Sequence, residues 1–278
     1  MTALPNRKPR ALATSPALSV MIAATRKAAR GLQRDYGELA SLQVSVKAPG
    51  DYVTAADKKA DKVLREELAK ARPTYTFLTE ESGLTKGTDP DHRFIIDPID
   101  GTANFMHAVP IFAITMALEK KGELVVAVTY NPISDELYHA EKGQGAFLNN
   151  KRLRVAARTD IHESLVNYEM PHRGGKQHAL ARAELAVLQG KVIGLRGFGS
   201  AAMTLAWVAA GRLDAAIIRN VNAWDVAAGM LLVREAGGYA VDPDSDKSPL
   251  DTGNILATNG ELLPAFKAAL KEAGPGEP

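Results

Sequence analysis

The fold of this 278-residue chain is decided by the stretch Phe94-Ile95-Ile96-Asp97-Pro98-Ile99-Asp100-Gly101-Thr102. Its apolar first residues predict a buried β-strand over 93–96. Pro98 cannot continue a hydrogen-bonded ladder and biases the residue before it toward an extended backbone, and Gly101 permits a sharp turn. We therefore expect two carboxylates on a tight turn at the point where a strand leaves the core.

The two aspartates of this turn are oxygen donors of the kind that hard divalent cations prefer. The carbonyl of Ile99 lies between them and is a natural additional ligand. The same residues also favour an ordinary polar turn, because Asp-Pro and Asp-Gly form turns in any protein. The DxxD spacing does not fit the DxD pattern of phosphatases with an aspartyl nucleophile. From this stretch alone, a metal site and a polar turn are equally open.

Two further acidic segments add weight to the metal interpretation. Glu80-Glu81 directly follows a second apolar strand at 75–79, and strands that end in acids can bring them together at one edge of a sheet. Asp225 lies where an Ala- and Gly-rich helix begins, at the position of an N-cap or first helical residue. A solvent-exposed glutamate pair and a simple capping aspartate are the alternatives for these two segments.

Outward from these segments, the chain divides into two halves. In 15–152 we expect an α+β half with helices over 16–36 and 55–71, a turn-rich loop over 47–51, and an antiparallel meander of short strands. In 153–273 strands and helices alternate, which is typical of an α/β half. Residues 1–14 and 274–278 are expected to be loose tails. The strands are predicted at 75–79, 93–96, 111–119, 124–131, 136–141, 146–148, 165–169, 192–195, 214–218, 239–241 and 255–258, and the later helices at 177–188, 201–210, 224–236 and 261–271.

Composition excludes several kinds of site. The chain has no cysteine, so disulfides, thiolate metal sites and a cysteine nucleophile are excluded, and a reducing cytoplasm fits. Its formal net charge is +2 with Lys and Arg spread along the chain, which gives nucleic-acid binding no support. It has no apolar run of about 18 residues, and its basic start lacks an apolar segment, so neither a membrane span nor a secretory signal is expected. None of the six histidines has HExxH spacing.

Taken together, the acidic segments and their neighbours resemble the inositol monophosphatase family, in order, from about residue 15 to about residue 270. The order and spacing of these segments are highly specific. The resemblance implies a layered αβαβα fold, a homodimer, dependence on Mg²⁺ and frequent sensitivity to Li⁺. The matching segments are VTAAD at 53–57, TEES at 79–82, IDPIDGTAN at 96–104, GSA at 199–201, WDVAAG at 224–229 and EAGG at 235–238.

By position, the resemblance implies a set of metal ligands. Glu80, Asp97 and the carbonyl of Ile99 match the ligands of a first metal. Asp97, Asp100 and Asp225 match those of a second. Glu80 also matches a residue that reaches a third, weaker metal through water, so two or three Mg²⁺ ions per subunit are expected.

The resemblance also implies how water and substrate are bound. Thr102 matches the residue that, with Asp57, polarises the attacking water, so that no covalent intermediate is needed. Around Ser200, a plain serine N-cap beside a tight-turn glycine explains the sequence equally well. The implied substrate contacts are Asp100, Gly101, Thr102, Gly199, Ser200, Ala201 and Asp225.

Three charged residues match the family less specifically. Lys47 and Asp51 match a mobile loop that closes over the metals in relatives, although an exposed lysine is equally compatible with the pattern. Arg196 matches an arginine of the dimer interface, and a surface charge is the alternative.

The chain departs from the family around Ile218-Arg219-Asn220. Many family members have a glutamate seven residues before the aspartate of the WD pair, where it binds ring hydroxyls, and here that position is Ile218. An arginine at this place can favour a second phosphate or a carboxylate. The alternative, slightly favoured, is that Arg219 faces solvent while Asn220 or Asn222 replaces the lost hydrogen bond.

The sequence therefore predicts a Mg²⁺-dependent phosphate monoester hydrolase with inositol 1-phosphate as the best single substrate. Because the hydroxyl-binding strand is altered, fructose-1,6-bisphosphate, histidinol phosphate and 3′-phosphoadenosine 5′-phosphate are alternatives. A regulatory partner of the RNA or transcription machinery is an alternative of a different class, since some relatives have that role. The expected partners are a small phosphorylated substrate and a second copy of the chain, without membrane or nucleic acid.

Overall fold

The computed structural model describes residues 14–38, 44–48, 51–170 and 176–274, with the backbone alone for 44–48, 51–54 and 176–177. Most of the two predicted tails lies outside these residues. The helices are α1 (Pro16–Gly37), α2 (Ala55–Ala71), α3 (Thr102–Met106), α4 (Lys176–Gln189), α5 (Ala201–Ala209), α6 (Ala223–Glu235), α7 (Pro249–Thr252) and α8 (Leu263–Glu272). The strands are β1 (Val44–Ala48), β2 (Asp51–Thr54), β3 (Thr76–Thr79), β4 (Gly83–Thr85), β5 (His92–Asp100), β6 (Ala113–Lys120), β7 (Glu123–Asn131), β8 (Glu136–Glu141), β9 (Gly145–Leu148), β10 (Lys151–Arg152), β11 (Leu165–Glu169), β12 (Gly194–Arg196), β13 (Ala215–Ile218), β14 (Tyr239–Val241) and β15 (Ile255–Thr258).

The first large sheet has eight strands in the order β10-β9-β8-β7-β6-β5-β3-β4. Strands β5 to β10 form the predicted antiparallel meander, while β3 runs parallel to β5. Because side chains alternate along a strand, Phe94 and Ile96 pack with α1 and α2, whereas Ile95 packs on the opposite face with α5 and α6. The parallel pairing places the ends of β3 and β5, and hence Glu80 and Asp97, side by side.

The second large sheet has five strands in the order β12-β11-β13-β15-β14. Strands β12 and β13 run parallel to β11 on its two sides, and β15 runs antiparallel to β13. Helices α5 and α6 fill the space between the two sheets, and α4 and α8 pack on the outer face of the second. With α1 and α2 outside the first sheet, the layers are αβαβα, which confirms the predicted fold.

The two central helices cross closely because α6 carries Gly229. A Cβ atom built there would lie 2.4 Å from Leu205 Cδ1 and 2.5 Å from Leu205 Cβ of α5, which is far inside van der Waals contact. This contact fixes the first turn of α6, which carries Asp225, relative to α5.

The two halves share one hydrophobic core. A single cluster of buried residues includes Ile95 and Ala127 from the first sheet, Leu205 and Leu232 from the central helices, and Ala257 from the second sheet. The division near residue 152 falls between the two sheets, and a boundary between separate domains at that point stays a prediction.

One prediction of local structure was wrong. The sequence predicts a loop over 47–51, whereas Lys47 and Ala48 belong to β1 and Asp51 begins β2, and the two strands pair in antiparallel fashion. Their β-branched and aromatic residues favour strands over the surrounding polar signals. The elements β4, β10, α3 and α7 were not predicted, because they are too short for hydrophobic periodicity to reveal them. No helix among the described residues is long and apolar enough to cross a membrane.

Candidate active site

The two aspartates of the central stretch lie at the end of β5, at a break in its pairing with β6. Between Asp97 and Asp100, β5 has one residue more than the facing part of β6. This bulge contains Pro98, which has no N–H to donate. Oδ1 of Asp97 accepts a hydrogen bond from the Ile99 N–H at 2.9 Å, which closes the turn, and both carboxylates are buried.

Asp225 reaches the same place from the other half of the chain. It is the third residue of α6, and its Oδ2 accepts a hydrogen bond from the N–H of Asn222 at 2.7 Å, as in a capping box. The expectation that Asp225 is itself the cap or the first helical residue was wrong, because Asn222 is the N-cap. Capping occupies one carboxylate oxygen, so the capping and ligand interpretations do not exclude each other.

Asp97, Asp100 and Asp225 form an acidic cluster in which one oxygen of each lies within 4.8 Å of the others. Burial is the main cause that raises the pKa of each, to about 7 for Asp100 and about 8 for Asp225, and nearby carboxylates add to it. Glu80, the fourth predicted carboxylate ligand, lies outside this 4.8 Å group. After burial, the charge of Glu80 is the largest cause that raises the pKa of Asp97.

The donors of the acidic cluster fit a hard divalent cation. They are carboxylate oxygens, which Mg²⁺ prefers. Burying several like charges without a cation is costly, and the ion pairs of lysine and arginine among the described residues involve other acids. A bound cation would remove this repulsion, so the cluster is a candidate metal centre.

Thr102, the first residue of α3, lies between Asp57 and Ile99. Its Oγ1 is 2.9 Å from the Ile99 carbonyl oxygen and 3.3 Å from Oδ2 of Asp57. Asp57 is buried in the first turn of α2, which packs on β5. The structure thus brings together the threonine and the aspartate that the sequence pairs, next to the turn that carries the acidic cluster.

The N-terminus of α5 binds the carboxylate of Asp100. The hydroxyl of Ser200 donates to Oδ2 of Asp100, as does the N–H of Ala202 at 2.9 Å, and the N–H of Ala201 donates to Oδ1 at 3.2 Å. Ser200 is also the N-cap, because its Oγ accepts from the N–H of Met203 at 3.3 Å. Donors at a helix start favour an anion, so α5 offsets part of the cost of burying Asp100.

Two glycines permit this close approach of the two halves. Gly101 has φ +93°, and a Cβ atom there would lie 3.0 Å from the carbonyl oxygen of Ile111. Gly199 has φ +71°, and a Cβ atom there would lie 3.1 Å from Nδ2 of Asn104. That Nδ2 donates to the carbonyls of Ile111 at 2.7 Å and Phe198 at 2.6 Å. Asn104 therefore ties α3 to residues 198–202, which we call the entry segment of α5.

Arg219 is buried, so the interpretation that it faces solvent was wrong. Its guanidinium forms ion pairs with Glu184 of α4 and with Asp244, which follows β14. Glu184 also accepts a hydrogen bond from the hydroxyl of Tyr168 at 2.5 Å. Because two carboxylates already neutralise Arg219, it is a poor candidate for binding a second phosphate.

The neighbours of Arg219 lie in different surroundings. Ile218 is buried in the core that includes α5 and α6, and it has no polar side-chain atom. Asn220 is exposed with φ +57°, and its N–H donates to Oδ1 of Asn254 at 3.2 Å. A role of these residues in specificity stays a prediction.

Several other predictions are not tested by the geometry. The side chains of Lys47 and Asp51, and all of His172, lie outside the described residues. Arg196 is exposed, and its Nη1 donates to the carbonyl of Leu195 at 2.8 Å, so its role in a dimer stays a prediction. None of the described histidines joins the acidic cluster.

Glu169 is an acidic residue beside the cluster that the sequence did not single out. It ends β11, and its Oε1 accepts hydrogen bonds from the N–H groups of Phe198 at 2.9 Å and Gly199 at 3.0 Å. Burial is the main cause of the raised pKa of Asp100, and the charge of Glu169 adds to it. A signal was present, because the strand predicted at 165–169 ends in an acid, as do the strands before Glu80 and Asp97.

Comparison with known proteins gives matches over nearly the whole chain. The model of the inositol monophosphatase family matches residues 13–274. An inositol-1-monophosphatase of Rhizobium meliloti strain 1021 is 49% identical over 266 residues, which are 96% of this chain and 100% of the relative. The Nus factor SuhB of Escherichia coli strain K12 is 39% identical over 92% of this chain and 96% of its own length. The crystal structure of the extragenic suppressor protein suhB from Bartonella henselae is 48% identical, with a TM-score of 0.90 over 93% of this chain and 99% of that one.

Proposed function

This chain belongs to the inositol monophosphatase family, and we propose that it is a Mg²⁺-dependent phosphate monoester hydrolase whose best substrate is inositol 1-phosphate. The observation that carries the proposal is the acidic cluster, whose three carboxylates lie within 4.8 Å of one another. The substrate is supported by the relative that is named inositol-1-monophosphatase at 49% identity over its full length.

We assign two or three Mg²⁺ ions to the site. Glu80, Asp97 and the carbonyl of Ile99 would hold one, and Asp97, Asp100 and Asp225 another, while Glu80 would reach a third through water. When bound, the cations neutralise the phosphate and supply a water that is more acidic than bulk water. The buried, like-charged ligand set supports this assignment.

Thr102 and Asp57 are proposed to orient the attacking water. The hydroxyl of Thr102 has a single hydrogen atom, and two acceptors lie near it, Asp57 at 3.3 Å and the Ile99 carbonyl at 2.9 Å. Because the hydrogen points to one of these acceptors, the lone pairs of Oγ1 are left to accept a hydrogen bond from a water. That bond directs the water oxygen toward the phosphorus. With the Thr102 hydrogen on Oδ2 of Asp57, Asp57 takes that hydrogen while Oγ1 of Thr102 takes the proton of the water, so the hydroxyl is restored.

The rest of the substrate is proposed to lie along the entry segment. The proposed contacts with the ring hydroxyls come from Gly199, Ser200 and Ala201, in addition to Asp100, Gly101, Thr102 and Asp225 near the phosphate. The exposure of Gly199 at the surface of the segment supports this placement. No covalent intermediate is required, since water attacks the phosphorus directly.

A substrate panel with and without Mg²⁺ tests the proposal. We expect kcat/KM to be highest for inositol 1-phosphate, compared with fructose-1,6-bisphosphate, histidinol phosphate and 3′-phosphoadenosine 5′-phosphate, and activity to vanish in EDTA. No Mg²⁺-dependent turnover of any of the four would contradict a hydrolase. A marked preference for a bisphosphate would overturn the inositol assignment alone.

A regulatory role with the RNA or transcription machinery is the second candidate. It is supported by the relative named Nus factor SuhB, which is 39% identical over 92% of this chain. Pull-down of RNA polymerase by wild type and by Asp97→Asn tests it, because a regulatory surface does not need the acidic cluster. Equal capture by both would support this role, and no capture by wild type would contradict it.

We further propose a homodimer in a reducing compartment such as the cytoplasm. The absence of cysteine supports the compartment, because no disulfide is needed to hold the fold. The mass in solution, measured by light scattering, tests the dimer. A monomer at micromolar concentration would contradict it.

A further inference from the structure

Glu169 and Asp100 are held by consecutive parts of the same segment. The N–H groups of Phe198 and Gly199 donate to Glu169 at 2.9 and 3.0 Å. The hydroxyl of Ser200 and the N–H groups of Ala201 and Ala202 donate to the carboxylate of Asp100. The entry segment therefore places a second carboxylate directly beside the acidic cluster, on its Asp100 side.

The carboxylate of Glu169 is fixed through one oxygen only. Its Oε1 also accepts a hydrogen bond from Nδ2 of Asn167 at 3.0 Å, so that oxygen has three donors. Oε2 makes no hydrogen bond to any residue in the part of the chain that the structure describes, and the side chain is only half-buried. A rigidly oriented acceptor is thus left open to a ligand.

The negative charge of Glu169 has no evident structural purpose. A neutral amide oxygen would accept the same three hydrogen bonds. The charge also lies close enough to Asp100 to add to the burial that raises its pKa, so it makes the acidic cluster more costly to form. No lysine or arginine among the described residues forms an ion pair with Glu169. A costly charge at the edge of a site is typical of a functional group.

The neighbouring strand offers no acid at the same level. Glu169 lies beside Ile218 in the parallel pairing of β11 and β13, and Ile218 is fully buried and apolar. Arg219, the residue that follows β13, is already neutralised by Glu184 and Asp244. Glu169 is therefore the acid that the end of β11 presents next to Asp100.

We infer that Glu169 selects the leaving group of the substrate by accepting hydrogen bonds from its hydroxyls, an inference that rests on the proposed function. A carboxylate binds neutral hydroxyl donors through strong, charge-assisted hydrogen bonds and repels a second phosphate. The substrates favoured by Glu169 are monophosphates of uncharged polyols, and bisphosphates are disfavoured. Glu169 of β11 would thus bind the hydroxyls for which β13, with Ile218, has no acidic side chain.

The test compares two substrates in the same variant. Glu169→Gln keeps an oxygen for the three donors but removes the charge, and Glu163→Gln, an exposed acid of the same half, is the matched control. Inositol 1-phosphate has hydroxyls on its leaving group, and p-nitrophenyl phosphate has none. Each kcat/KM scales with the folded fraction, so their ratio is not affected by partial unfolding.

We expect Glu169→Gln to lower kcat/KM for inositol 1-phosphate about tenfold, which corresponds to about 1.4 kcal/mol. With p-nitrophenyl phosphate it should stay within about twofold, as should both substrates with Glu163→Gln. An equal fall with both substrates, or no fall with either, would overturn the inference. The proposed function fails separately, if the wild-type enzyme shows no Mg²⁺-dependent turnover of either substrate.

Discussion

The hydroxyl of Ser200 donates a hydrogen bond to the carboxylate of Asp100, 100 residues earlier in the chain. The bond crosses from the N-terminus of α5 to the end of β5, so it connects the two halves at the acidic cluster. It also acts against burial in setting the pKa of Asp100, because a donor stabilises the charged form.

Ser200→Ala tests this connection. Without the hydroxyl the pKa of Asp100 rises further, so the acid limb of the pH profile for Mg²⁺-activated hydrolysis should move to higher pH. Ser15→Ala is the matched control, because Ser15 caps α1 through the Leu18 N–H and lies away from the site. Both variants should lose about 1 kcal/mol in the free energy of unfolding. Identical pH profiles for the two variants would contradict the role of Ser200.

Thr102→Val tests the water-orienting pair. The change removes the hydroxyl and keeps the side-chain shape, so kcat should fall about 100-fold or more, which is the usual scale of positioned proton transfer. Thr204→Val is the control, because the Oγ1 of Thr204 is buried without a hydrogen-bond partner among the residues that the structure describes, and its loss should leave activity unchanged. A fall of less than threefold with Thr102→Val would remove Thr102 from the mechanism.

The acidic cluster predicts how pH acts on the metal-free protein. Burial raises the pKa of Asp225 from 3.8 to about 8 and that of Asp100 from 3.8 to about 7. Between pH 3.8 and about 8 the folded protein therefore binds more protons than the unfolded chain. The free energy of unfolding should therefore fall as the pH rises from about 4 to about 8, by linkage. Mg²⁺ affinity should rise over the same range, because the cation needs ionised carboxylates.

Urea unfolding in EDTA at several pH values measures this dependence. Asp225→Asn should reduce the slope of stability against pH, whereas Asp251→Asn, an exposed acid on α7, should not. If the two variants have the same slope as wild type, Asp225 is not held with a raised pKa.

Arg219→Met distinguishes a structural arginine from a phosphate-binding one. The change leaves Glu184 buried without its cation, so the free energy of unfolding should fall by about 3 kcal/mol. Arg196→Met, an exposed arginine of β12, should change stability by less than about 0.5 kcal/mol. The ratio of kcat/KM for fructose-1,6-bisphosphate to that for inositol 1-phosphate should not change with Arg219→Met. A clear drop in that ratio would show that Arg219 binds the second phosphate of fructose-1,6-bisphosphate.

The central stretch shows what sequence can predict. Asp97 and Asp100 follow an apolar run, and Pro98 and Gly101 mark the turn, so both the strand end and its acids are visible locally. The α+β and α/β halves follow from the change of pattern along the chain, whereas the layered αβαβα order is implied by the family resemblance. Short elements such as α3 and α7 are less visible, because a single turn of helix leaves no periodicity.

The surroundings of Arg219 and Glu169 show what sequence does not reveal. Arg219 is neutralised by Glu184 from α4 and by Asp244 after β14, and neither is near it in the chain. Glu169 meets the entry segment only because β11 lies between β12 and β13, an order that depends on tertiary packing. The end of a predicted strand marks Glu169 as an acid of interest, but no local pattern places Glu169 beside the entry segment, or Glu184 and Asp244 beside Arg219.

The central claim is that the acidic cluster of Asp97, Asp100 and Asp225 holds the Mg²⁺ that hydrolysis needs, and Asp97→Asn tests it most directly. The asparagine can still accept the Ile99 N–H at Oδ1, so the fold should survive. It replaces a carboxyl whose ionised form is disfavoured by burial and by the neighbouring acids, so the metal-free variant should be at least as stable as wild type. Mg²⁺-dependent hydrolysis of inositol 1-phosphate should fall by orders of magnitude, while Asp251→Asn keeps wild-type activity. Activity of the folded Asp97→Asn variant within about threefold of wild type, roughly 0.65 kcal/mol of barrier, would contradict the account.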